Sequence, residues 1–170
     1  MKPATIAPNF GALPDELKVL PIWLVWEYRL KDREWSKVPL IADGSGRFAK
    51  TNDPKTWRTY AEALKHVRDG IGLRFVEPYC GVDLDLCRDP KTGAIADWAM
   101  KIVRFFNSYT EISPSGEGLH VIFKLGEPLP SGTRKRGAKD KGWEIGLYDA
   151  TSPRYFCCTG CTLESHGRIQ

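Results

Sequence analysis

Apolar and acidic residues alternate in Gly81-Val82-Asp83-Leu84-Asp85-Leu86, which is the period of a half-buried strand. Such a strand sends Val82, Leu84 and Leu86 to one face and Asp83 and Asp85 to the other. The two carboxylates then stand roughly 6.5–7 Å apart along the strand, aimed into the same space. Like charges fixed side by side repel unless a cation lies between them. Hard divalent cations such as Mg²⁺ and Mn²⁺ take oxygen ligands of this kind. The plain alternative is a strand with a wet acidic face.

Two later stretches follow the same logic. In Leu119-His120-Val121-Ile122-Phe123, period 2 separates His120 from Leu119, Val121 and Phe123; in Trp143-Glu144-Ile145-Gly146-Leu147 it separates Glu144 from Trp143, Ile145 and Leu147. Ahead of His120 lies Ser115-Gly116-Glu117-Gly118, whose glycines would let backbone N–H groups approach an anion closely. Asp83, Asp85 and Glu144 are thus candidate metal ligands. Ser115, Gly116, Gly118 and His120 are candidate phosphate contacts. Together they suit nucleotidyl transfer, in which two metals activate a hydroxyl and neutralise the leaving pyrophosphate while cationic or N–H donors grip a triphosphate. Lys37 and Arg74 are further candidates for the nucleotide's phosphates, Lys37 competing with the ordinary role of lysine as an edge-strand guard. Arg134, Lys135, Arg136, Lys139 and Lys141 form a basic loop just before Glu144, suited either to a template or primer backbone or simply to solvent.

The elements that must carry these residues are legible in outline. Leu20 to Leu30 is rich in aromatic and β-branched residues and reads as a buried strand. Lys31 to Ser36 reads as a turn and Lys37 to Ile41 as a returning edge strand, where Pro39 is tolerated. Thr51-Asn52-Asp53-Pro54 starts a helix expected to run to Arg68, with Trp57, Tyr60, Ala61, Leu64 and Val67 inward. A strand from Ile71 to Val76 leads into the Asp-x-Asp strand. Helical spacing from Ile95 to Phe106 gives a second amphipathic helix. Strands follow at Tyr109–Ile112, Leu119–Leu125, Trp143–Tyr148 and Arg154–Thr159, with Ser131 to Gly142 as a loop. The fold class is α+β: mostly antiparallel strands with two main helices packed on them.

The chain has 170 residues, 42% hydrophobic and 27% charged, with a net charge of +4. That is one domain of ordinary size, mildly basic, with a nucleic-acid partner permitted but not required. We read residues 1–14 as an N-terminal tail, 15–163 as the catalytic domain and 164–170 as a tail or linker. No membrane span or signal pattern is visible, and a cytoplasmic location is expected. The five cysteines, Cys80, Cys87, Cys157, Cys158 and Cys161, are an odd count that argues against a disulfide framework. Cys158-x-x-Cys161 with His166 nearby reads as half of a zinc site, the alternative being that Cys157 and Cys158 are small hydrophobes in a strand end.

Three ordered segments carry a family resemblance: Gly81 to Asp85, Tyr109-Thr110-Glu111-Ile112-Ser113-Pro114-Ser115-Gly116-Glu117-Gly118-Leu119-His120, and Trp143 to Ile145. They resemble the three motifs of the archaeo-eukaryotic primase (AEP) superfamily, above all the primase-polymerase (PrimPol) domains of phage and plasmid replication proteins. The likeness extends over about residues 20–160, taking in the Trp23 to Trp26 strand, Lys37-Val38-Pro39 and Thr51 to Trp57. It implies an N-terminal α/β module and an RRM-like module with an active-site cleft between them. It also implies Asp83, Asp85 and Glu144 as the metal ligands, and Ser115 and His120 on the incoming nucleotide's phosphates. Glutamate in the third motif is similar to the phage-like members. The family is often fused to a helicase or a helical priming domain, so this chain is expected to be an excised catalytic domain.

The resulting expectation is a DNA primase-polymerase using Mg²⁺ or Mn²⁺ in a two-metal site. Its partners would be dNTPs or NTPs, a single-stranded DNA template with primer, and a fused or separate helicase, with no membrane. The source would be bacterial, archaeal or a phage or plasmid. One rival is a non-catalytic single-stranded-DNA-binding or replication-initiator module of the same fold, which would not need the three acids. A second is a metal-dependent enzyme acting on nucleotide sugars, which the basic loop and the Ser-Gly-x-Gly-x-His run fit less well.

Overall fold

A computed structural model describes residues 1–127, 129, 135–138, 142–163 and 166–170. In chain order the described elements are α1 (Asp15–Lys18), β1 (Trp23–Lys31), β2 (Glu34–Leu40), α2 (Tyr60–Lys65), β3 (Gly70–Leu73), β4 (Tyr79–Asp85), α3 (Asp97–Phe106), β5 (Tyr109–Ile112), β6 (Leu119–Lys124), β7 (Lys135–Ala138), β8 (Trp143–Tyr148) and β9 (Phe156–Cys158). The strands make two antiparallel sheets, ordered β2-β1-β3-β9 and β5-β6-β4-β8-β7. The expected α+β class with mainly antiparallel strands is what the chain forms.

The first sheet begins with a tight hairpin. Asp32 and Arg33 both take positive φ, 50° and 66°, the condition for a two-residue turn matched to strand twist. The turn is therefore narrower than Lys31–Ser36, and strand pairing runs from Lys31↔Glu34 to Val25↔Leu40. β2 lies at the sheet's edge, as its Pro39 requires. Trp23 and Trp26 are fully buried, and each indole N–H donates to a carbonyl, of Leu17 and Ile71 respectively.

The long helix expected from Thr51 to Arg68 does not form. A short 3-10 turn spans Pro54–Thr56, after which Arg58 exchanges backbone bonds with Trp23 and holds the chain extended. Thr59 then caps a new helix, its hydroxyl accepting from Glu62 N–H while the Glu62 carboxylate accepts from Thr59 N–H. That reciprocal cap fixes the start of α2. Ala63 is its buried residue, and Leu64 and Val67, expected inside, are exposed. A second correction falls on the basic loop: residues 135–138 form β7, paired along β8.

In the second sheet, β4 lies between β6 and β8, and each strand divides its side chains by face. Cys80, Val82, Leu84, Leu119, Val121 and Phe123 form a core under Ala99 and Val103 of α3. Leu86 leaves this face; its φ of 58° ends the strand and exposes the side chain. On the opposite face Tyr109, Ile122 and Tyr148 join Trp23, Leu73 and Phe156 in a core shared by both sheets. The terminal segments are also bonded to the body. Ile6 N–H donates to Pro114 O and Asn9 N–H to Thr159 O, while Gln170 exchanges bonds with Lys124 and Ser108.

Candidate active site

The inter-sheet face of the second sheet turns polar at one end. Register explains why: Asp83 stands opposite His120 on β6 and Gly146 on β8, Asp85 opposite Glu144, and His120 opposite Glu111 on β5. Directly paired residues share a face, with Cβ atoms about 4.5–5.5 Å apart. Asp83, Asp85, Glu144, His120 and Glu111 therefore occupy one surface, carried by four adjoining strands. Gly146, opposite Asp83, makes room for the Tyr148 ring, since a Cβ there would lie 2.9 Å from Tyr148 Cε2 and Oη.

The acids differ in surroundings. Asp83 has 22% of its side chain exposed, yet its Oδ1 is buried and makes no hydrogen bond, though His120 Nε2 lies 3.5 Å away. A buried carboxylate oxygen without a partner is costly, and an oxygen-seeking cation would relieve that cost. Glu144 Oε1 accepts from Lys135 Nζ at 2.5 Å across the β7–β8 ladder. Burial works against the Lys135 charge, but the bond to Glu144 overcomes it and the ammonium's pKa is raised. Lys135, expected on nucleic acid, thus meets an acid of the site. Arg136 is exposed on β7, whereas Arg134 and Lys139 lie outside the described residues. Among the described residues no three His, Cys, Asp or Glu side chains are gathered closely enough to make a ready metal cluster, at the acids or at Cys158, Cys161 and His166.

His120 is held firmly. It is 4% exposed, its ring centroid 4.4 Å from that of Phe156, with Nδ1 3.3 Å from Glu111 Oε1. Glu111 is a fully buried carboxylate that also accepts from Thr159 N–H, Gly160 N–H and Tyr109 OH. Burial and this carboxylate keep the Tyr109 phenol protonated far above its usual range. Glu111 was not among the residues singled out from sequence. The alternation in Tyr109-Thr110-Glu111-Ile112 could have placed it on the face of His120.

The loop before His120 is built differently from the expectation. Gly116 N–H donates to Ser113 O, Gly118 N–H to Ser113 Oγ and Glu117 N–H to Ser115 Oγ. These donors close the turn on itself instead of facing outward. Gly118 is needed for another reason: a Cβ there would lie 2.6 Å from Leu84 O, so the loop presses directly on the end of β4. Ser115 itself is exposed at the tip.

Lys37 lines a cavity of about 570 Å³ whose other walls include Lys50, Asn52, Tyr148, Arg154 and Tyr155. Tyr148 connects this cavity with the acids, its phenol pKa raised by burial and by the nearby Asp83 carboxylate. Arg74 is not brought into the same space as a free cation. It is 4% exposed, donates from Nη1 to Arg154 O and from Nη2 to Ala150 O, and so braces the segment that presents Arg154. Burial lowers its pKa.

No helix among the described residues is long and apolar enough to cross a membrane. No protein-family model matches the chain. A curated protein named DNA primase-polymerase, from Nitratiruptor phage NrS-1, is 32% identical over 154 residues, covering 87% of this chain and 20% of that protein. The chain spans about a fifth of that relative's length. The aligned part takes in most of this chain and supports a relationship to a primase-polymerase.

Proposed function

We propose that this chain is the catalytic domain of a DNA primase-polymerase, adding nucleotides to a primer 3′ end on a DNA template. The observation that carries the reading is the register setting Asp83 beside His120 and Asp85 beside Glu144 on one face of the sheet. The similarity to a phage protein named DNA primase-polymerase supports it. In this reading the first sheet belongs to the N-terminal module, the second with α3 is the RRM-like module, and the whole has the AEP fold.

Asp83, Asp85 and Glu144 would hold Mg²⁺ or Mn²⁺; the all-oxygen donor set and the orphaned Asp83 Oδ1 fit such ions. When bound, the metals supply charge neutralisation at the reacting and leaving oxygens. His120 grips a phosphate oxygen of the incoming nucleotide from beneath the acids. Lys37, Lys50 and Arg154 give the adjoining cavity a cationic wall for phosphates of the nucleotide or template. The exposed Ser115 completes the nucleotide side, with Gly116 and Gly118 shaping its turn. Arg136 and its neighbours on β7 lie along the route of a nucleic-acid backbone.

The test is extension of a labelled primer on a DNA template with dNTPs and Mg²⁺ or Mn²⁺, comparing the wild type with Asp83→Ala/Asp85→Ala. Template binding is measured for both proteins. Extension by the wild type alone, with binding kept by both, is the expected result. Equal extension by both overturns the assignment of the acids. Binding without extension by either points to the non-catalytic DNA-binding alternative.

A further inference from the structure

Glu111, His120 and Asp83 form a row across three neighbouring strands, Glu111↔His120 on β5–β6 and His120↔Asp83 on β6–β4. The imidazole lies between two carboxylates, Nδ1 3.3 Å from Glu111 and Nε2 3.5 Å from Asp83. The two acids are unlike. Asp83 is partly open to the cleft, whereas the Glu111 side chain is completely buried. Thr159 N–H and His120 Nδ1 face Oε1 at 3.1 and 3.3 Å, and Gly160 N–H and Tyr109 OH face Oε2 at 2.7 and 2.8 Å. A carboxylate held from four sides has no rotational freedom left. Every other partner gives it a proton, so the fourth contact is favourable when Nδ1 carries a hydrogen. The donors come from a rigid frame: Gly160 has φ +70°, and a Cβ there would meet Asn9 O at 2.0 Å.

We propose that Glu111 is a positioning residue: it accepts from His120 Nδ1–H and so fixes the plane of the ring, with Nε2 turned towards the space beside Asp83. It acts only through His120, and this role rests on the polymerase reading of the site. Glutamine in its place has an amide that can donate to Nδ1, allowing the ring to turn over or change tautomer. The carbonyl of that glutamine would still receive one backbone N–H.

The experiment has two arms on the 170-residue chain. In the first, ¹⁵N NMR of histidine-labelled protein reads which His120 nitrogen carries hydrogen, with His120→Ala used to assign the signal. A protonated Nδ1 in the wild type, altered in Glu111→Gln, supports the proposal. A bare Nδ1 in the wild type overturns it, without any variant needing to fold. The second arm measures primer extension for Glu111→Gln, His120→Ala and the double variant. An outer partner of a functional histidine is worth ~10–100-fold, so kcat/KM should fall by that factor in Glu111→Gln and show no further fall in the His120→Ala background. An equal fall in both backgrounds overturns the proposal, since that is the mark of a general structural role. If wild type extends no primer, the polymerase reading fails, while the NMR arm still decides the pairing.

Discussion

Gly81→Ala places one methyl group on β4 two residues before Asp83, and the surroundings set its cost. An ideal Cβ at Gly81 would lie 2.5 Å from Phe75 Cζ, 2.7 Å from Phe75 Cε2 and 3.2 Å from Phe156 Cζ. Carbon atoms rest about 3.5–4.0 Å apart, so the Phe75 ring must retreat by about 1 Å. It has little room. Phe75 is 1% exposed and packs on Phe156, which in turn packs on Tyr148 and His120. Gly81 is not among the residues with positive φ, so alanine meets no backbone strain and restricting the unfolded chain favours folding by ~0.4–1 kcal/mol. Overpacking costs about 1–3 kcal/mol and wins. The net loss is about 1–2 kcal/mol, which for a chain of this size lowers Tm by about 2–8 °C. Calorimetry or a circular-dichroism melt measures it. Adding Phe75→Leu removes the ring atoms in the way, so the double variant should be more stable than the sum of the single losses by roughly 1 kcal/mol. A Gly81→Ala protein melting at or above the wild type, or strictly additive losses, would refute the reasoning.

Further expectations concern separate parts of the chain. Thr59→Ala removes the reciprocal cap of α2 and should cost about 1 kcal/mol, read as a small fall in Tm. Gly118→Ala forces a methyl against Leu84 O and should cost about 1–3 kcal/mol, with primer extension falling as the end of β4 shifts. All six tyrosines have pKa values raised by burial, Tyr79 to about 12 with help from its bond to Glu16. Their folded pKa values exceed the unfolded value, so the stability they give is complete below about pH 10 and is lost as pH rises above it. Phenolate absorbance of the folded protein should lag behind that of the denaturant-unfolded chain; coincident curves would contradict this. In the cavity, replacing Lys37 and Lys50 together by alanine should weaken single-stranded DNA binding and flatten its salt dependence by about 0.7 per cation lost, measured by anisotropy across a salt series.

How much of this was legible in the sequence depends on the range of the forces involved. Asp83 and Asp85 alternate with Val82 and Leu84, and a period of two needs no tertiary knowledge to assign faces. The same holds for His120 and for Glu144. The helix from Thr51 was misread because Tyr60, Leu64 and Val67 have helical spacing, whereas the deciding contact is the backbone exchange between Arg58 and Trp23. β7 was hidden by its composition: lysine, arginine and glycine suggest a loop until β8 is there to pair with it. Arg74 looked like a phosphate ligand because its partners, the carbonyls of Ala150 and Arg154, lie 76 and 80 residues away. Glu111 was visible as a residue, but its pairing with His120 exists only through the register of β5 on β6.

The order of strands in the first sheet has a consequence for synthesis. β3 is flanked by β1 and β9, and its partner residues Phe156 to Cys158 leave the ribosome more than eighty residues after Ile71 to Leu73. Until they do, β3 presents an unpaired strand edge to the cell, the kind of edge that recruits other chains. Translation halted or truncated before Phe156 should therefore yield an aggregation-prone product even though every acid of the candidate site has already been made.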